Sequence, residues 1–229
     1  MTKAPAAGKV KTRLTTLLTA EEAAELNCCF IRDIASTIVD AEPHASGIGC
    51  FTPAASAKFY RKLLPDSFGL LAQRGKDLSE RLINVIEDLL HLGFSSVCLI
   101  GSDSPTLPRS VLLEAIGILD DCRDCVVLGP SEDGGYYLLG LKRSHSDLFA
   151  GIDWSTNRVF EQTLERAAKL GLPVHLLKCH YDVDTPDNLR RLYSELFDAT
   201  RSLNRSVAPA TARFLRQLIS RKPHLFPGV

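Results

Sequence analysis

Residues 96–105 read SVCLIGSDSP, and the fold turns on how that stretch is taken. Val97, Cys98, Leu99 and Ile100 form an unbroken apolar run bounded by Gly101 and a Ser-Asp-Ser-Pro turn. A run that short and β-rich reads as a strand buried on both faces, as strands of parallel sheets are. Its carboxyl end presents Asp103 among small residues, and ligands of open α/β sheets sit at the carboxyl ends of strands. A lone carboxylate there suits a hard divalent cation that also holds phosphate oxygens. The competing reading is a plain turn whose Asp103 caps the helix that begins near Pro108.

Outward from this strand, strands and helices alternate. Thr19 and Glu22 form a capping box, and Ala23, Leu26, Phe30, Ile34 and Ile38 recur at helical spacing as far as Asp40. Residues 46–52 read as a strand, and Thr52 and Pro53 start a helix to about Leu64. A short strand over 69–72 precedes QRGKDLSERL (73–82), where Asp77 and Glu80 again have capping-box spacing and open a helix to Gly93. After the central strand come a helix carrying Leu112, Leu113, Ile116 and Leu119, then a strand over 126–129. GPSEDGGYYLLGL (129–141) is a glycine turn tipped by Glu132 and Asp133, followed by a strand from Tyr136 to Leu141. Ser155 is expected to cap a helix to Leu170, ended by Gly171, and a strand over 174–177 leads to Asp182 and Asp184. This alternation predicts a three-layer, doubly wound, mainly parallel α/β sheet. One domain over 1–197 is expected, with a C-terminal helical tail over 198–229 packed on it and a helix at 211–219.

The composition is that of an ordinary globular protein. Of 229 residues, 45% are hydrophobic, and Lys+Arg and Asp+Glu number 27 each, so no bulk charge favours nucleic acid or an anionic membrane. No apolar run approaches a membrane span and no signal peptide is apparent, so a cytoplasmic location is expected. Seven cysteines, several within apolar patterns, are read as reduced, and the single C-x-x-C at Cys122 and Cys125 as neither redox-active nor zinc-binding. There is no Ser-His-Asp set and no metal spacing among the six histidines.

KAPAAGKVKTRL (3–14) places Lys3, Lys9, Lys11 and Arg13 around Gly8. Small residues let the backbone approach a ligand, and the cations can neutralise phosphates, although the spacing is not that of a P-loop. A solvated basic arm is the alternative. In DVDTPDNL (182–189), a helix start accounts for Thr185 and Pro186 but not for the two carboxylates before them.

Together with IDWST (152–156), these six motifs, in this order from residue 1 to about 197, resemble a bacterial family of nucleotide-diphospho-sugar transferases of the rSAM/selenodomain-associated type. That family is similar to glycosyltransferase-A-type folds, including the guanylyltransferases of molybdenum cofactor and of 2-phospho-L-lactate. The resemblance implies that Lys3, Gly8, Lys9, Lys11, Arg13, Asp77, Leu78 and Ser102 bind the nucleotide. It implies that Asp103, Lys11 and Arg13 are catalytic, that Asp103 and Asp184 hold Mg²⁺ or Mn²⁺, and that Asp133, Gly134, Gly135, Tyr136 and Trp154 face the acceptor. There are two departures: the apolar strand that the family carries before Lys3 is missing from this sequence, and Ser79 stands where glycine is usual.

Two reactions fit, nucleotidyl transfer from an NTP to a phosphorylated small molecule and glycosyl transfer from an NDP-sugar. Three cations in the first loop favour the triphosphate, and nucleotide binding without turnover is a third reading. The assembly is expected to be a monomer or homodimer. Asp103 and Asp184 are expected to lie within roughly 8 Å of each other across one cleft, with one pKa raised by their repulsion. Placement on opposite faces of the domain, or burial of either in a salt bridge with Lys or Arg, would overturn a shared metal.

Overall fold

The computed structural model describes residues 1–197 and 207–225. The expected boundary at residue 198 lies outside the described residues.

The chain begins with β1 (Thr2–Lys3) and a turn of 3₁₀-helix over Thr12–Thr16 that pins the first loop by the fully buried Leu14. Helix α1 (Ala20–Val39) follows, with its capping box in place: the Thr19 hydroxyl accepts from Glu22 N–H, and the Glu22 carboxylate accepts from Thr19 N–H. Next come β2 (Ile48–Thr52), α2 (Ala57–Leu63), β3 (Gly69–Ala72), α3 (Leu78–His91), β4 (Val97–Ile100), α4 (Arg109–Asp121), β5 (Val126–Pro130) and β6 (Tyr136–Leu141). Then come α5 (Val159–Lys169), β7 (Val174–Leu176), α6 (Pro186–Phe197) and α7 (Pro209–Arg221), and a turn of 3₁₀-helix over Pro223–Leu225 ends the described residues.

The sheet is parallel across β1, β2 and β3 and between β5 and β7, while β6 runs antiparallel between β4 and β5. Alternation along β5 sorts the layers. Val126 and Leu128 face Leu82, Val85 and Ile86 of α3, whereas Val127 faces Leu112, Ala115 and Leu119 of α4. A further core joins α1 to α6 and α7 through Leu26, Phe30, Leu192, Leu215 and Leu218, all fully buried.

Several sequence expectations are corrected. Ser155 does not cap a helix: its φ is +65° and α5 starts four residues later, at Val159. Asp77 does accept from Glu80 N–H, but the Glu80 carboxylate turns to Lys76 N–H, so that box is half formed. Cys122 and Cys125 are joined by a disulfide.

The sheet has a gap. Among the described residues β4 pairs with β6 alone, and β2 pairs with β3 and the two residues of β1. Between the facing edges runs a slot of about 280 Å³. Ile48, Gly49 and Cys50 line one side and Val97, Cys98 and Leu99 the other, with Ile34 and Ile38 of α1 beneath. Met1 stops it at the carboxyl end of β4, its buried amino group donating to Ile100 O at 2.7 Å.

Candidate active site

Three loops leave the carboxyl ends of their strands and converge. The first follows β1, turns at Gly8 (φ +70°) and brings in Lys11; the second follows β4 and carries Asp103; the third follows β7 and carries Asp182 and Asp184. Val183 N–H donates to Asp103 O at 2.8 Å and stitches the second loop to the third.

They meet on one ammonium group. Lys11 Nζ lies 2.5 Å from Asp103 Oδ1, 2.7 Å from Asp184 Oδ1 and 3.0 Å from Val183 O. These acceptors match the three N–H donors of an ammonium. The ring of Phe30, its centroid 5.3 Å away, closes the cage with its electron-rich face. The Lys11 side chain is 4% exposed, against 38% for Asp103 and 40% for Asp184. The lysine is therefore the buried member, and both carboxylates keep a face open to the cleft. Burial alone would lower the Lys11 pKa, but Asp103 and then Asp184 outweigh it and hold the ammonium above its ordinary range. Lys11 itself has φ +47°, ψ +37°, a left-handed conformation that costs a non-glycine residue about 1–3 kcal/mol.

Asp182 lies deeper. Ser104 Oγ donates to one of its oxygens at 2.5 Å and Ser131 Oγ to the other at 2.8 Å. Its pKa is raised, by burial first; the two hydroxyls oppose the shift, while the charges of Asp103 and Asp133 add to it.

The cleft in front of these groups measures about 660 Å³, the size of a small-molecule site. Of the residues anticipated, Lys11, Arg13, Leu78, Asp103, Asp133, Gly135, Tyr136, Trp154 and Asp184 line it together. The two carboxyl groups thus share one cleft, their Oδ1 atoms within roughly two hydrogen-bond lengths of each other. Arg13 is exposed, and so is Leu78, at 40%. The remaining anticipated residues are not in the lining. Lys3 Nζ reaches back to Lys9 O at 3.3 Å, Lys9 is exposed beyond the rim, Asp77 caps α3, and Ser102 borders the slot between the half-sheets. Gly134 backs onto the next loop: at φ +87° its carbonyl accepts from Phe160 N–H, and a Cβ there would strike Asn157 O.

Other residues of the site went without a role in the sequence. Thr12, Leu82 and Asp182 stand within the motifs but were assigned no role from them, and Asn157 lies just past IDWST; all four line the cleft. Ser79 acts from behind the wall: Trp154 Nε1–H donates to Ser79 Oγ at 2.6 Å, and Ser79 Oγ–H donates to Phe149 O. The hydroxyl thereby orients the indole, a link unavailable to glycine at that position.

The donors facing the cleft are hard oxygens, and the Lys11 ammonium shows that a cation fits between Asp103 and Asp184. Among the described residues no three His, Cys, Asp or Glu side chains are placed to hold a metal ion. Two carboxylates completed by phosphate oxygens are the usual surroundings of Mg²⁺ at nucleotide sites.

Residues 37–156 match the model of a family described as "Uncharacterized protein conserved in bacteria (DUF2064)". Among solved structures, a "putative nucleotide-diphospho-sugar transferase" from Desulfovibrio desulfuricans G20 matches 98% of this chain and 95% of its own, with 30% identity and a TM-score of 0.84. A CMP:2-keto-3-deoxy-manno-octonic acid synthetase complexed with CTP matches 74% of this chain and 88% of its own, with 12% identity and a TM-score of 0.53. A cytidylyltransferase from Leptospira borgpetersenii serovar Hardjo-bovis (strain JB197) matches 87% and 86%, with 9% identity and a TM-score of 0.52. At such identities these two speak for the fold alone. No curated protein matches the sequence. The architecture is the nucleotide-diphospho-sugar transferase fold, similar to glycosyltransferase-A. With a family model spanning more than half of it and a 30% identical relative along nearly its whole length, this chain belongs to the DUF2064 family.

Proposed function

We propose that this protein, of the rSAM/selenodomain-associated branch that its six motifs resemble, transfers the nucleotidyl group of an NTP to a phosphorylated small-molecule acceptor. One observation carries the reading: the basic first loop and the carboxylates after β4 and β7 converge on a single oxygen-lined cleft. An acceptor phosphate oxygen forms the new bond to the α-phosphorus as the bond to pyrophosphate breaks, and catalysis is positioning plus charge neutralisation. Arg13, in the cleft, and Lys9, exposed on the same loop, supply positive charge to the triphosphate, while the exposed Leu78 offers an apolar surface to the nucleoside. Asp133, Gly135, Tyr136 and Trp154 line the same cleft and receive the acceptor. Mg²⁺ or Mn²⁺ would be held by Asp103 and Asp184 and, when bound, supplies neutralisation of phosphate charge.

Glycosyl transfer from an NDP-sugar is the second reading, and the description carried by the 30% identical relative favours it. A thermal-shift panel of NTPs and NDP-sugars, each with and without Mg²⁺ or Mn²⁺, separates the two, because a ligand of the folded state raises Tm according to its affinity. Metal-dependent shifts from an NTP and pyrophosphate release on adding acceptor are expected, both abolished in Asp103→Asn. Shifts from NDP-sugars alone would transfer the assignment to sugar transfer, and an NTP shift in which Asp103→Asn matches the wild type would remove Asp103 from the site.

A further inference from the structure

Lys11 is handled unlike a phosphate ligand. A lysine that awaits an anion presents its ammonium to solvent, whereas this one points inward and spends every N–H on Asp103, Asp184 and Val183 O. The chain accepts left-handed backbone at Lys11 to put it there. The group is also the right charge in the right place, since two carboxylates with oxygens this close repel unless a cation lies between them.

We propose that Lys11 is the resident cation of the Asp103–Asp184 pair, a tethered ammonium that holds the divalent-cation position until metal and nucleotide arrive together and displace it. The proposal rests on the reading of the cleft as a metal–nucleotide site. A free divalent ion meets a pair whose charge is already met by Lys11, with Val183 O and Phe30 fixing the ammonium from behind. It would have to expel that ammonium while gaining two carboxylate ligands at most, because no third is in reach among the described residues. A metal carrying a polyphosphate brings further oxygen ligands and offers the expelled ammonium new acceptors, so the exchange then conserves charge on both sides. The design keeps the empty enzyme from filling with metal and frees a phosphate-binding lysine on loading.

The test is Mn²⁺ binding in the absence of nucleotide, read from the electron paramagnetic resonance signal of free Mn²⁺, for the wild type and Lys11→Met. Methionine keeps the unbranched side chain to within one atom of its length and removes its charge. The variant is expected to bind Mn²⁺ at least about tenfold more tightly than the wild type; equal or weaker binding overturns the proposal. Should the variant fail to fold, the wild type answers alone through amine acylation mapped by mass spectrometry. Lys11 is expected to resist the reagent in the free protein and to react once Mn²⁺ saturates it, and unchanged protection overturns the proposal. Equal Mn²⁺ affinities alongside a metal-dependent nucleotide shift would sink the resident cation alone. A gain of Mn²⁺ in Lys11→Met with no nucleotide shift in either protein would sink the transfer reading alone.

Discussion

Arg13 and Lys11 are two residues apart and have divided their work. Lys11 is turned inward onto Asp103 and Asp184, while Arg13 stays exposed at the cleft. The polyphosphate-specific loss should therefore fall on Arg13. In Arg13→Ala, binding of an NTP should weaken by more than binding of the monophosphate, each lost charge-assisted hydrogen bond being worth about 1.5–3 kcal/mol. Calorimetry giving equal losses for both would place Arg13 outside the phosphate site. A second residue-scale test uses Trp154, the single tryptophan in the sequence. Ser79→Gly deletes the acceptor of the indole N–H, so the emission of Trp154 should shift and its anisotropy fall, with donor binding weakened less than acceptor binding. An unchanged spectrum would mean that packing alone orients the ring.

At the scale of elements, the link between α1 and α7 deserves a direct test. The Asp33 carboxylate, buried in the middle of α1, accepts from Ala210 N–H at 2.9 Å and Thr211 N–H at 2.8 Å, and from the Thr211 hydroxyl. These are first-turn donors of α7, which its own chain leaves without a capping side chain. Asp33→Ala strands them in the interior and should cost about 1–3 kcal/mol, read as a lower Tm and as fast amide exchange confined to α7. Burial raises the Asp33 pKa from its ordinary 3.8, against the opposing hydrogen bonds from Thr211 and Ala210. The folded state thus binds that proton more tightly than the unfolded chain, and stability attributable to Asp33 falls as pH rises from 3.8 through the raised value. Asp33→Asn should flatten that segment of the Tm–pH profile, and a profile parallel to wild type would show that Asp33 does not titrate there. None of this docking was legible in the sequence, where Asp33 is one acid in a helical pattern. Features whose cause is local were legible: β4 from its apolar run, the Thr19–Glu22 box from its spacing, Gly171 as a helix end. Ser155 misled because its serine-before-helix pattern is local, while the φ of +65° comes from the tertiary course of the loop. The cage around Lys11 was hidden for the same reason. Its acceptors lie up to 173 residues away, and nothing in KVKTR distinguishes a lysine turned inward from one awaiting phosphate.

For the molecule as a whole, the feature with the widest reach is the slot between the half-sheets. At the cleft end Met1 bridges it to Ile100 O, and beside that contact the Gln73 amide ties the strands of the first half-sheet together by donating to both Thr2 O and Cys50 O. Burial lowers the pKa of the Met1 amino group from its ordinary 8.0, with the charges of Cys50 and Asp103 opposing. A lowered base pKa makes the folded state release that proton more readily, so this contribution to stability rises with pH up to 8.0. Converting the amine to an amide keeps the N–H that Ile100 O accepts and removes the charge that burial penalises. An amino-terminal acetyl group should therefore raise Tm below pH 8.0 and lose its advantage above it. A fused apolar β-forming segment should raise Tm further by pairing with the bare edges of β2 and β4, with new amide protection at Ile48 and Cys98. The same fusion broken by proline should do neither, and equal Tm values for all three would mean that the slot accepts no strand. For the experimenter the consequence is practical: an affinity tag or protease scar joined to the Met1 amino group starts at a buried contact with Ile100 O, not in solvent, so tagged and untagged protein should be compared in every stability and binding measurement.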